Sequence, residues 1–468
     1  MRTNMTRSTH TLACPQHRII DLCLPIRISL IAGLILLPFS HLRWLPNLGT
    51  TRPLSSILFV FSLGLIVINH FLITIHKSGF RMTTLFSLRY VQAQLQTMPG
   101  WQIIVPWIVL ILMGIISAAF TPFYGNFLQA LNRLLGYGII FATLFCGLFA
   151  CKLFGMKKIA TLISLGYLPV LFYGVIEAIA TRGVNWAVQI VYFMRAWIVV
   201  NFSWGYRVTF FTTEPSFVGF QLVLLMAVTP YLQSRALRLT NILIILLAVV
   251  FTKSATVLIE VFAYIAFLIF FNFKASTRII LLAASGLIAF IVGIWYSFFT
   301  QFRLNLDFLR RLSVTLKIER IYLLGVSSSI RGSYFKNLLY TIVDTHGFGL
   351  GIGQYGQFWK NIYLRHFNPQ AIDPSGEIIR SLASPEYGRP WSVIFGIGVD
   401  LGIVGMLVLF GFFYQVWRFI QMPHCRAIFL VSIIALMGAY PIVTPHVWLA
   451  LALLTGMSAT QALEKSIA

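Results

Sequence analysis

Glu214 stands in FTTEPSFVGFQ, residues 211–221, at the mouth of a run that is otherwise apolar. Directly before Pro215 and beside Ser216, it fits two chemistries. An acidic residue near the positive end of a helix dipole, with a proline in the first turn and a hydroxyl cap, is an ordinary helix start. A carboxylate at a membrane surface, partly stripped of water and so raised in proton affinity, can also take a proton from an incoming hydroxyl. Three cations suggest what that hydroxyl would attack. Arg207 precedes the Glu214 segment, Lys253 sits in the turn TKSAT, and Arg331 lies in SSSIRGSYFKN. Singly, each reads as a snorkelling or solvated residue; together they suit a phosphate, which Arg grips through two parallel hydrogen bonds.

HGFGLGIGQYGQFW, residues 346–359, supplies further candidates. A nucleotide-binding glycine loop needs a strand before it and a helix after it in a cytosolic domain, a context missing here. A turn that lets backbone approach a polar ligand is the better account, with Tyr355, Trp359 and Tyr363 available to stack on sugar rings. His346 and His366 are candidate acid/base groups or phosphate ligands. Ionisable groups within apolar runs cost about 2.5 to 3.5 kcal/mol each on insertion scales, which singles out three more residues. Glu177 and Glu260 fall one to two turns from the ends of their runs, close enough to snorkel or bond locally. Asp400, in FGIGVDLGIVG, is deeper, and the glycines around it predict close helix packing with a buried polar partner.

The elements that must position these residues are membrane helices. Of 468 residues, 58% are hydrophobic and only 10% charged, and the mean hydropathy is +0.85. Apolar stretches of roughly 17 to 25 residues, enough for a helix to cross hydrocarbon, recur along the chain. They predict an all-α polytopic membrane protein of about twelve transmembrane helices. The expected spans are 24–40, 54–75, 101–120, 134–154, 159–180, 215–232, 241–252, 254–271, 279–299, 391–414, 427–443 and 446–462. Residues 1–299 and 391–468 are thus membrane domain, separated by a hydrophilic loop over 300–390.

Within that loop, residues 327–347 read as a helix with a serine-rich start, a glycine stop, and an apolar face of Tyr334, Leu338, Leu339 and Ile342. The 35 Lys and Arg against 12 Asp and Glu give a net charge of +23, which in this setting marks cytoplasmic loops and anionic ligands before nucleic acid. Short loops carrying Lys77, Arg81, Lys157, Lys158, Arg235 and Arg238 fall on one side. That side carries sixteen Lys and Arg in all, and the opposite side six, Arg43, Arg52, Arg133, Arg182, Arg195 and Arg207. Both termini are therefore expected in the cytoplasm and the 300–390 loop outside. That count requires residues 186–210, rich in Trp and Tyr, to lie along the outer interface without spanning. The five cysteines lack metal-ligand spacing and read as free thiols.

In this order, RVTFFTTEPSFVGFQLVLL (207–225), FTKSATVLIEVFAY (251–264), SSSIRGSYFKNLLYTIVDTHGFGLGIGQYGQF (327–358) and WSVIFGIGVDLGIVGMLVLF (391–410) resemble the bacterial O-antigen ligase and O-antigen polymerase family. The likeness covers roughly residues 200–414. The resemblance implies a GT-C-like glycosyltransferase of the inner membrane, working at the periplasmic face. It implies an undecaprenyl-diphosphate-linked oligosaccharide donor and a carrier-linked acceptor, with membrane lipids and a chain-length regulator as further partners and no nucleic acid. Attack by a sugar hydroxyl on the anomeric carbon would expel the lipid diphosphate. Lys253, Arg207 and Arg331 would then bind that diphosphate, Glu214 with Arg331 and His346 would be catalytic, and Tyr355 and Trp359 would hold sugar. No cofactor or metal is expected; the chain has no Asp-x-Asp ligand pair, and the cations would carry the electrostatic role.

Relatives that are ligases open the returning span with His-Asn, where this chain has Trp391 and Ser392. That departure favours a polysaccharide polymerase, making O-antigen, capsule or exopolysaccharide, over a ligase acting on lipid A-core. A lipid-linked oligosaccharide flippase is the alternative of another class, but the internal repeats common in transporters are not found.

Overall fold

The computed structural model describes residues 22–39, 54–78, 98–120, 125–198, 208–212, 217–252, 254–273, 326–369, 392–438 and 444–467, with isolated positions at 277, 379, 382 and 390. Among these the regular structure is helical throughout. In chain order the α-helices are α1 (Cys23–Ile35), α2 (Leu54–Ser78), α3 (Ile104–Phe120), α4 (Phe127–Gly166), α5 (Leu168–Ala180), α6 (Asn185–Ile198) and α7 (Val218–Val228). They continue with α8 (Arg235–Phe251), α9 (Ala255–Asn272), α10 (Val326–Asp344), α11 (Tyr355–His366), α12 (Val393–Phe419), α13 (Pro423–Met437) and α14 (Pro445–Ile467).

Local signals set several boundaries. Asn126, Ser234 and Ser392 cap α4, α8 and α12 by accepting from the backbone N–H three residues on, at 3.2, 3.4 and 3.3 Å. Pro169 occupies the first turn of α5, where a missing N–H costs nothing. Two long helices are broken by glycines at positive φ, α4 at Gly155 (φ 70°) and α12 at Gly402 (φ 71°).

Four helical stretches among the described residues are long and apolar enough to cross a membrane: Leu54–Ile73, Trp101–Phe120, Phe127–Ala180 and Val393–Phe419. Shorter apolar helices cover Cys23–Ile35, Val218–Tyr231, Thr256–Asn272 and Pro423–Met437. Most of the expected spans overlap a helix, although 134–154 and 159–180 are recast as α4 and α5, and four stretches, where twelve spans are expected, reach spanning length among the described residues. Several helices are shorter than a bilayer requires, and the expected span 279–299 lies outside the described residues.

Large apolar side chains cover the outside, among them Ile116, Phe172, Leu246, Ile259, Val404 and Leu407. Such a surface suits hydrocarbon and would be a liability in water. Inside, Trp107 meets Trp448 edge to face at 5.0 Å, with Tyr137 and Phe412 against its other sides, tying α3, α4, α12 and α14 together. Helix α7 is buried along its whole length and packs against α4, α8, α9, α13 and α14. A helix apolar all round belongs at a bundle centre.

The loop helix expected over 327–347 is α10, which pairs with α11. Tyr334, Leu338 and Trp359 are buried between them, while Leu339, expected on the apolar face, is 38% exposed. Buried Asn337 and Ser333 take part instead, bonding the Tyr355 and Tyr363 hydroxyls at 2.8 and 2.9 Å.

Candidate functional site

Arg207, Glu214 and Lys253 lie outside the described residues, and Arg331 falls on α10, where only its backbone is described. What the structure describes is the chain beside them. The Val208 N–H donates to the Phe251 carbonyl at 3.1 Å, bonding the neighbour of Arg207 to a residue two before Lys253. From Val208 the chain makes one closed turn, Thr212 N–H to the Thr209 carbonyl at 2.8 Å, ending two residues before Glu214. The segment between Arg207 and Glu214 is therefore bonded to the end of α8, two residues before Lys253.

That turn is strained and heavily anchored. Phe210 and Phe211 both take positive φ, 47° and 65°, a region that side-chain-bearing residues avoid. Three positions on one face of α5 hold them. The Tyr173 ring stacks on Phe211 at 4.2 Å, and Gly174 leaves space for the Phe210 ring that a Cβ would fill. Glu177 accepts from the Thr209 N–H at 2.8 Å, the Thr209 hydroxyl at 2.8 Å, the Phe210 N–H at 2.9 Å and the Arg195 guanidinium at 2.5 Å. Arg195, on α6, also donates from Nε to the Tyr173 hydroxyl at 3.2 Å. Both ends of the ion pair are buried, so Glu177 does not snorkel and Arg195 is no loop charge.

Beyond residues 213–216, α7 opens against a second carboxylate. Glu260 of α9 is fully buried, occupies the space a Cβ on Gly219 would take, and neither oxygen has a hydrogen-bond partner among the described residues. It too stays inside the bundle.

Asp400 has the buried partner its glycine-rich surroundings predict. Arg133 Nε donates to Oδ2 at 2.6 Å, the Tyr137 hydroxyl to Oδ2 at 3.0 Å, and the Gly353 N–H to Oδ1 at 3.1 Å. Arg133, counted by its sequence position among loop cations, is thus an interior ion-pair partner. The glycine turn docks on α12 where Gly402 breaks it: Leu350 N–H reaches the Val399 carbonyl at 2.7 Å and Ile403 N–H the Gly347 carbonyl at 2.8 Å. A cleft of about 440 Å³ beside it is lined by Ser117, Phe348, Gly351 and Asp400 among others.

The glycine turn, expected to let backbone approach a polar ligand, bonds to the backbone of α12 and also lines this cleft through Gly349, Leu350 and Gly351. One expectation needs correction here. Tyr355 and Trp359, expected to stack on sugar, are 3% and 1% exposed in the α10–α11 core. Burial pushes the Tyr355 phenol up in pKa, and as a neutral group it accepts from Asn337. Tyr363 is buried with them. His346 is exposed at the end of α10 with φ 52°, away from that core, and His366 stacks on Tyr340 and pairs with Asp344 at 3.0 Å.

The chain matches no family model and no curated protein.

Sequence reasoning missed the Glu177–Arg195 and Arg133–Asp400 pairs. The signal was present: Arg195 in VYFMRAWIVV and Arg133 in LQALNRLLGYG stand among apolar residues, where a charge without a partner is costly. Which carboxylate each would meet depends on helix packing.

Proposed function

We propose that this protein is a polysaccharide polymerase, joining oligosaccharide repeat units carried on undecaprenyl diphosphate at the periplasmic face of a bacterial inner membrane. The proposal includes a bundle of about twelve spans with both termini cytoplasmic. The observation that supports it most directly is the Val208–Phe251 hydrogen bond, which draws together the segments carrying Arg207, Glu214 and Lys253. One carboxylate acting with two or three cations would suit transfer from a lipid diphosphate.

In this mechanism the acceptor sugar hydroxyl gives its proton to Glu214 while its oxygen attacks the anomeric carbon of the donor. The bond from that carbon to the diphosphate oxygen breaks with its electron pair, and Arg207, Lys253 and Arg331 neutralise the leaving charge. Charge held ready in this way commonly contributes more to catalysis than any other single effect. A glycosidic bond replaces the anomeric diphosphate bond, so no nucleotide sugar is consumed.

The test is the length distribution of surface polysaccharide in cells deleted for the gene. Loss of the ladder with single-repeat product retained is the expected result, and Glu214→Gln should reproduce it. Loss of all surface product with carrier-linked polymer accumulating would mean a ligase, and carrier-linked repeats trapped on the cytoplasmic leaflet would mean a flippase.

A further inference from the structure

Glu177 has a task that the reaction above does not assign. Two consecutive residues at positive φ do not hold that shape unaided, and outliers of this kind persist where the surroundings over-determine them. Here the surroundings converge on a single carboxylate. Four donors from two segments reach its two oxygens: Arg195 from α6, and the Thr209 N–H, Thr209 hydroxyl and Phe210 N–H from the turn. Stacked Tyr173 and the clearance at Gly174 come from the same face of α5, so the contact surface is shaped for this turn over more than one turn of helix.

We propose that Glu177 is a positioning residue: its carboxylate clamps the strained 208–212 turn and so sets where the chain continues into Arg207 at one end and Glu214 at the other. The Val208–Phe251 hydrogen bond extends that setting to the hairpin bearing Lys253. Glu177 touches no reacting atom, and the inference rests on the polymerase reading for its consequence, though not for its geometry. A buried ion pair that merely held helices together could be exchanged for apolar residues of similar size with little effect. A clamp could not, because the two amides and the hydroxyl of the turn would lose their acceptor.

The experiment therefore combines Glu177→Leu with Arg195→Met in the full-length protein, reconstituted in lipid vesicles. It reads amide hydrogen exchange across 208–212, melting temperature, and the rate of polymer formation from carrier-linked repeats. Faster exchange at Thr209 and Phe210, a lower melting temperature as three buried donors lose their acceptor, and a fall in kcat on the order of 10- to 100-fold, as small misplacements of reacting groups cause, are expected. Thr209→Val, which deletes only the hydroxyl donor, should give a partial fall, and Thr209→Ser should restore the rate. Faster exchange with an unchanged rate would overturn the positioning role, and unchanged exchange would overturn the clamp itself. If wild-type protein makes no polymer, the proposed function fails and the positioning role with it, while exchange still decides the clamp.

Discussion

Gly219 has no room for a side chain, because a Cβ there would collide with the Glu260 carboxylate, and that carboxylate is buried too deeply to swing into water. Gly219→Ala should therefore lower stability by about 1–3 kcal/mol, the usual cost of overpacking, measured as a melting shift in detergent. Glu260→Gln should leave the melting temperature within about 4 °C of wild type, since an amide of the same size replaces a buried carboxyl that has no hydrogen-bond partner among the described residues. A clear drop in that variant would mean that a group beyond the described residues depends on the carboxyl. Glu260 was legible in the sequence as an ionisable residue in an apolar run. Its neighbour Gly219 was not, because the contact joins α7 to α9 and has no sequence spacing.

The glycine turn and α12 form one joint between the α10–α11 pair and the rest of the bundle, held in part backbone to backbone by the Leu350–Val399 and Ile403–Gly347 hydrogen bonds. A Cβ at Gly349, already at φ 79°, would lie 2.7 Å from both the Gly402 nitrogen and the Val399 carbonyl oxygen. Gly349→Ala should then undock the pair, costing on the order of 1–3 kcal/mol in strain alone, with limited proteolysis reporting faster cleavage after α10. Asp400→Asn should act at the same joint by removing the negative charge that the buried Arg133 guanidinium faces, at a cost of up to about 3–5 kcal/mol; a melting temperature equal to wild type would remove Asp400 from that role. The helix over 327–347 and the turn after it are legible in a serine start, helical apolar spacing and clustered glycines. The burial of Tyr355 and Trp359 is not, because a sequence shows that aromatic rings are available for a ligand and says nothing of which surface they face.

For the molecule as a whole, the polymerase reading requires the 300–390 loop to face the periplasm. Phe348, 84% exposed on the glycine turn, is the reporter: Phe348→Cys should react with a membrane-impermeant thiol reagent in cells whose outer membrane alone is opened. Labelling only after the inner membrane is lysed would invert the topology and remove the proposed chemistry from the periplasm. Composition and apolar run length determined by themselves that this is a helical membrane protein, and where most of its apolar helices lie, because the bilayer forces each spanning segment to satisfy its own backbone. Candidate cations and carboxylates were also readable, since charge is conspicuous in an apolar chain. Only the tertiary structure decided which charges are paired and what they press on: Glu177 with Arg195, Asp400 with Arg133, and Glu260 against Gly219. Each of those contacts joins different helices, and their pairing follows from how the helices pack, a three-dimensional outcome that hydropathy and local spacing do not encode.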